Sequence, residues 1–185
     1  MPRTFTVSDS IVVHARPADV FRHVSDPARM GEWSPENLGA TVHGEPGKPG
    51  EPGEPGEPGE PGEIRVGTVF DGRNKRGAFR WTTRCTVTAV EADALFRFRV
   101  HAIGVRRPRL PGPIATWEYR FEPVPEGTRV TETWTDDRRG WPDFAAHAFD
   151  RVATGGHTFA DFQRRNIRTT LRNLKRALEP VSGTA

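Results

Sequence analysis

The chain has 185 residues, 27 Lys and Arg against 24 Asp and Glu (net charge +3), one Cys, five Trp and 35% hydrophobic residues. These proportions suit one folded domain and are too small for two of ordinary size. Cys85 has no partner for an internal disulfide, and no apolar run approaches the roughly 18 residues that span a bilayer. A disulfide framework and a transmembrane helix are therefore excluded.

The first ten residues carry one Arg and no apolar run behind it, so they do not read as a secretion signal, and a cytoplasmic location is expected. Residues 4 to 14 alternate as a first strand. Arg16-Pro17-Ala18-Asp19-Val20-Phe21 then opens a helix, with Pro near its first position and apolar residues at 20, 21 and 24. Asp26-Pro27 starts a second short helix, Asp26 as cap and Pro27 at the first turn, which should run to about Trp33 before Ser34-Pro35 stops it.

Residues 44 to 63 break the pattern: 7 Gly, 6 Pro, 6 Glu and 1 Lys, with no apolar side chain. Glycine recurs at every third position in Gly-Glu-Pro triplets, the collagen period. A triple helix needs three parallel chains, whereas a connection between neighbouring antiparallel strands must return to its start. The segment is therefore expected to be a disordered, solvated, collagen-like low-complexity insertion. Without its one Lys and six Glu, the remaining 165 residues carry 26 basic and 18 acidic side chains, and they hold all of the hydrophobic residues.

Five further strands are expected at Val66 to Asn74, Phe79 to Val90, Leu95 to Ala102, Ile114 to Phe121 and Thr128 to Asp136, separated by turn signals such as Asn74-Lys75-Arg76-Gly77. With the first, they make about six in an antiparallel meander. A long helix follows from about Phe159 to Leu178. At about 100° per residue, Phe159, Phe162, Ile167, Thr170, Leu171, Leu174 and Leu178 share one side, and the opposite side is rich in Arg.

Alternation assigns the inner face of the sheet. Phe79, Trp81, Thr83, Cys85 and Val87 point one way, as do Phe96, Phe98 and Val100, then Ala115, Trp117, Tyr119 and Phe121. In the last strand an inward Val130 carries Glu132, Trp134 and Asp136 inward with it. A carboxyl among aromatics costs several kcal/mol unless paired, hydrogen-bonded or protonated. Two readings stand for Glu132: a proton-transfer group or ligand anchor in an apolar pocket, or a structural group at the strand's wet end or paired with an Arg. Asn74, in register with inward Phe70, carries the same ambiguity. The aromatic residues could equally fill the space between sheet and helix as a packed core.

The order of elements, with Asp26-Pro27-Ala28-Arg29-Met30-Gly31-Glu32-Trp33-Ser34-Pro35-Glu36, Gly67-Thr68-Val69-Phe70-Asp71-Gly72-Arg73-Asn74, Arg80-Trp81-Thr82-Thr83 and Gly127-Thr128-Arg129-Val130-Thr131-Glu132, resembles the SRPBCC superfamily. More narrowly it resembles the polyketide cyclase/dehydrase and lipid-transport proteins of START-like fold. The resemblance covers nearly everything outside residues 44 to 63 and the Val105 to Pro113 loop. It implies a single α+β domain over 1–185 of helix-grip type: a curved antiparallel sheet wrapped around a long C-terminal helix, with two short helices after strand one.

It further implies a cavity for a hydrophobic or aromatic small molecule, without an obligatory cofactor, lined by Trp33, Glu36, Phe70, Asn74, Trp81, Phe98, Trp117, Trp134, Phe159 and Phe162. Catalytic residues do not carry over from that superfamily. If the protein is an enzyme, the chemistry expected is general acid-base cyclisation or dehydration of a polyketide-like substrate, with Glu132 as proton-transfer group and Glu36 or Asn74 orienting the substrate. The alternatives are a non-catalytic lipid or small-molecule carrier, or an interaction module using the basic face. The insertion replaces a connection expected near the cavity mouth, where it would screen the entrance or have no role.

Phosphate-cradling and nucleophile-elbow motifs are absent from the sequence. The six His show no metal-ligand spacing, so no metal site is expected. Arg106-Arg107-Pro108-Arg109 and the basic helix stripe could attract phosphates, but no aromatic residues interleave the stripe, which weighs against nucleic acid.

Overall fold

Alternation of apolar and polar residues builds a single seven-stranded antiparallel sheet of order β1-β7-β6-β5-β4-β3-β2. The structure, a computed structural model, describes residues 3–43 and 64–179. The strands are β1 (Thr6–Val13), β2 (Asn37–Val42), β3 (Val69–Arg76), β4 (Phe79–Glu91), β5 (Leu95–Gly104), β6 (Leu110–Val124) and β7 (Gly127–Asp136). Helix α1 (Pro17–Val24) and a 3-10 helix (Pro27–Glu32) follow β1, while α2 (Asp143–Thr154) and α3 (Phe159–Leu178) follow β7. This is the α+β helix-grip architecture expected from the order of elements.

The long helix falls where its periodicity places it, and its start has a local cause. Thr158 accepts from the Asp161 backbone N–H (3.1 Å) and donates to the Asp161 carboxylate (2.8 Å), a cap worth ~1 kcal/mol. Ile167, Leu171 and Leu174 are buried in the core with Val130 and Phe96, and full burial of each such side chain contributes about 1.5–3 kcal/mol. The Arg-rich opposite side faces solvent.

Four expectations need correction. A seventh strand, β2, pairs with β3 across a bulge between Asn37 and Ala40. Gly39 takes φ +99° there, and a Cβ on Gly31 of the adjacent 3-10 helix would meet Gly39 N at 2.9 Å; the glycines that permit this approach also hide the strand pattern. Residues 110–113, expected in a loop, begin β6, with Ile103 opposite Leu110 and Ala102 opposite Pro111. Phe79, expected inward, is exposed at the β3–β4 turn. Helix α2 was not expected at all.

The two ends of the sheet differ. At one end lie the β3–β4 turn, the β5–β6 connection and the exit of β7 into α2, as the pairings Arg76 with Phe79, Thr82 with Gly104 and Ala115 with Asp136 require. At the other end lie the β4–β5 and β6–β7 turns. His43 donates from its backbone to Val69 O (2.9 Å) at that second end, so the residues flanking 44–63 are rooted there. The insertion itself lies outside the described residues.

Candidate functional site

Glu132 occupies the middle of β7 and is 1% exposed. Neither structural role expected for it applies: it is not at a wet strand end, and its hydrogen-bonding partner is Tyr119, whose hydroxyl donates to Glu132 Oε1 at 3.0 Å. The pair is set by register, since Tyr119 of β6 stands opposite Glu132. Burial pushes the Glu132 carboxyl up to about 8, the Tyr119 hydrogen bond opposing only part of that rise. At neutral pH the acid is therefore mostly protonated. Burial, reinforced by Glu132, drives the Tyr119 phenol well above its usual range, so it remains a donor.

Trp33 closes the group from the side of the short helices. Its ring meets Tyr119 edge to face at 5.7 Å, and Asn173 of α3 donates to its carbonyl at 3.1 Å. Among the described residues, five buried side-chain polar atoms make no hydrogen bond. Arg138 Nη1 and Asp150 Oδ1 form an ion pair with each other (3.0 Å), and His23 Nε2, in a ring that burial disfavours charging, lies 3.6 Å from the Glu32 carboxylate. The other two, Glu132 Oε2 and Trp33 Nε1, have neither kind of partner, and both belong to residues that touch Tyr119.

The remaining residues expected around the pocket fall into separate groups. Phe98, Trp117 and Trp134 stand opposite one another across β5, β6 and β7, and Phe70 meets Phe98 at 5.3 Å. Phe159 stacks on Trp134 at 6.4 Å, which places the start of α3 over the sheet. Glu36, Trp81 and Phe162 converge on a residue the sequence did not single out, Arg76. Its guanidinium pairs bidentately with Glu36, lies 3.9 Å over the Phe162 ring and 5.4 Å over Trp81, and donates to the Ala153 carbonyl of α2. Asn74 donates to Thr83 Oγ1 (3.2 Å) and the Gly72 carbonyl (3.1 Å) within the sheet. Glu36 and Asn74, expected to orient a substrate, thus both have protein partners.

A second buried polar cluster fastens α2. Asp136 pairs with Arg3 (2.7 Å) and with Arg138 (2.8 Å), and Arg138 continues to Asp150 of α2. Asp150 Oδ2 accepts from Phe159 N at 3.1 Å, capping the start of α3. Burial works to raise Asp136, but hydrogen bonds from Arg138 and Arg3 outweigh it and hold the carboxyl low. Trp141, Phe149 and Phe159 stack around the Arg138 guanidinium. Only register and the path of α2 assemble this cluster; inward Asp136 was its one sequence signal.

Cys85 is buried, and burial raises its thiol to about 12, so it is no nucleophile at neutral pH. Two open concavities lie outside this inner group. One of about 570 Å³ runs between β1 and α3, lined by Asp9 and by Arg165, Arg168 and Arg172. The other, about 230 Å³, lies at the β3–β4 hairpin beside Trp81 and Val105.

Residues 4–179 match the family described as polyketide cyclase / dehydrase and lipid transport. The chain belongs to that family, within the SRPBCC superfamily. Among solved structures, a polyketide-cyclase-like protein from Corynebacterium glutamicum is 28% identical with a TM-score of 0.53; the match covers 97% of this chain and 94% of that one. The di-domain ARO/CYC StfQ from the steffimycin biosynthetic pathway matches with a TM-score of 0.62 at 15% identity, over 97% of this chain and 52% of that one. An AHSA1-like protein from Aeromonas hydrophila matches at 0.56 and 17%, covering 94% and 92%. The last two likenesses are of fold. No curated protein matches the sequence. This SRPBCC fold typically binds hydrophobic ligands, and no helix among the described residues is long and apolar enough to cross a membrane.

Proposed function

We propose that this SRPBCC protein binds a hydrophobic or aromatic small molecule between the sheet and α3, with Glu132 as the polar anchor. The observation that carries this reading is the pair of buried unpartnered atoms, Glu132 Oε2 and Trp33 Nε1, on two residues that both touch Tyr119. A buried polar atom without a partner costs about 1–3 kcal/mol, and a ligand carbonyl or hydroxyl reaching both groups would recover that cost. The surrounding Phe and Trp side chains supply the apolar lining that such sites use.

A carboxyl pushed up to about 8 can give and retake a proton near neutral pH. This fits general acid-base cyclisation or dehydration of a polyketide-like substrate, Glu132 protonating a ligand oxygen and Tyr119 holding the carboxyl in place. Glu132→Gln keeps the shape and a hydrogen-bonding group but cannot transfer a proton, so it is expected to retain ligand and abolish turnover. Glu132→Leu removes the anchor and is expected to weaken binding about tenfold or more. Turnover unchanged in Glu132→Gln would contradict the acid-base role, and affinity unchanged in Glu132→Leu would contradict the anchor. A wild-type protein that binds ligand without converting it is a carrier.

A further inference from the structure

The most exposed large apolar side chains gather at one end of the sheet, with Val66, 61% exposed before β3, at the other. Phe79 on the β3–β4 turn, Val105 and Leu110 on the β5–β6 connection, and Phe144 and Val152 on α2 are 63 to 88% exposed. Three separate segments thus raise apolar tips at the same end of the sheet, as strand register and the Arg76 bond to the last turn of α2 dictate. Leaving this much apolar surface in water is unfavourable, so a clustered set of tips points to a partner.

The charge at the same end is one-sided. Lys75 and Arg80 flank the first turn, Arg106, Arg107 and Arg109 sit on the second, and Arg139 on the third; all are exposed. The acids in these segments are Asp136 and Asp150, both buried against Arg138, together with Asp137, which pairs with Arg99 (3.2 Å), and Asp143. At the opposite end the β4–β5 and β6–β7 turns carry Glu91, Asp93, Glu122 and Glu126, but Arg129 pairs with Glu122 (3.6 Å), and Arg16 after β1 and Arg65 before β3 add cations there. The molecule therefore presents one basic, apolar-tipped end, while acidic and basic groups mix at the other.

We propose that the basic end docks on the surface of an anionic phospholipid membrane, with Phe79, Val105, Leu110, Phe144 and Val152 entering the interface and the arginines around them meeting lipid phosphates. Separate protruding tips ringed by cations suit a bilayer interface, which receives each tip independently; a soluble partner would have to offer a matched pocket for each. Arginine suits this place because its stem lies along apolar surface while its guanidinium reaches phosphate. The docking does not depend on the ligand reading: it uses the outer surface of three connections, and Glu132 takes no part.

The test is flotation of the full chain with vesicles of phosphatidylcholine alone and of phosphatidylcholine with phosphatidylglycerol. Binding is expected to the anionic vesicles and to be at least about tenfold weaker to the neutral ones. Phe144→Ser with Val152→Ser, and separately Arg106→Glu with Arg107→Glu, should each lower anionic binding about tenfold, with thermal melts showing both variants folded. Glu122→Gln at the far end should leave it unchanged. Failure to bind anionic vesicles would overturn the proposal, and so would binding indifferent to the apolar pair, which would be simple charge adsorption. Binding to soluble polyglutamate or DNA but not to vesicles would assign the face to an acidic macromolecule and equally refute it.

Discussion

Glu132 holds a proton in the folded protein that it would lose near 4.5 in an unfolded chain, because burial raises it to about 8. For an acid raised by folding, the native state binds more protons between the two values. Its contribution to stability is complete below about 4.5 and is lost as pH rises toward 8, by at most ~1.4 kcal/mol per pH unit. Denaturant unfolding from pH 5 to 8 should thus show wild type losing stability relative to Glu132→Gln; parallel profiles would contradict the burial account. Tyr119→Phe removes the donor to Oε1 and should cost about 1–3 kcal/mol, measured in the same way. Alternation alone placed Glu132 inward, because Val130 had to be. It could not supply Tyr119 as its partner, nor Arg76 for Glu36 and Thr83 for Asn74, since those pairings depend on register between strands and on a helix far away in sequence.

Among the elements, α3 was legible because its cap and its apolar stripe agree. Ile167→Ala, in the middle of that stripe, should cost about 2–5 kcal/mol in equilibrium denaturation. Helix α2 was not legible because its pattern is inverted: Phe144 and Val152 face out while Ala146, Asp150 and Thr154 are buried. Pro111, Gly112 and Pro113 likewise read as a loop yet lie in β6, where long-range pairing overrides local preference. What fixes α2 is polar: Arg138 to Asp150 at its middle and Arg76 to Ala153 at its end. Asp150→Ala leaves a buried guanidinium with one carboxylate fewer and uncaps Phe159 N, a loss of about 3 kcal/mol. The same variant should be cut faster by protease within 143–154 than wild type. Cleavage there at the wild-type rate would show that the aromatic stacking around Arg138 suffices.

At the scale of the molecule, the meander, the helix it grips and the inner face could be read from the sequence because each repeats one simple period several times. The basic, apolar-tipped end could not, because it arises only when turns distant in sequence are brought together. The same topology bears on the insertion at 44–63. The expectation that it replaces a connection near a cavity mouth meets a specific fact: its flanks are rooted at the end of the sheet opposite α2. Since β2 and β3 are already paired up to Val42 and Phe70, exchanging 44–63 for a short Gly-Ser turn should leave the fold intact and raise stability by about 1 kcal/mol, the loop-closure entropy recovered; a destabilised variant would contradict that independence.

The most direct test of ligand binding beside Glu132 is native mass spectrometry of the protein as purified from its host, compared with its denatured mass. The account predicts a retained hydrophobic molecule that is released on denaturation, is still held by Glu132→Gln and is lost from Glu132→Leu. A clean unliganded mass, with no thermal shift across a panel of aromatic and lipid ligands, would contradict it and leave the inner face as a packed aromatic core.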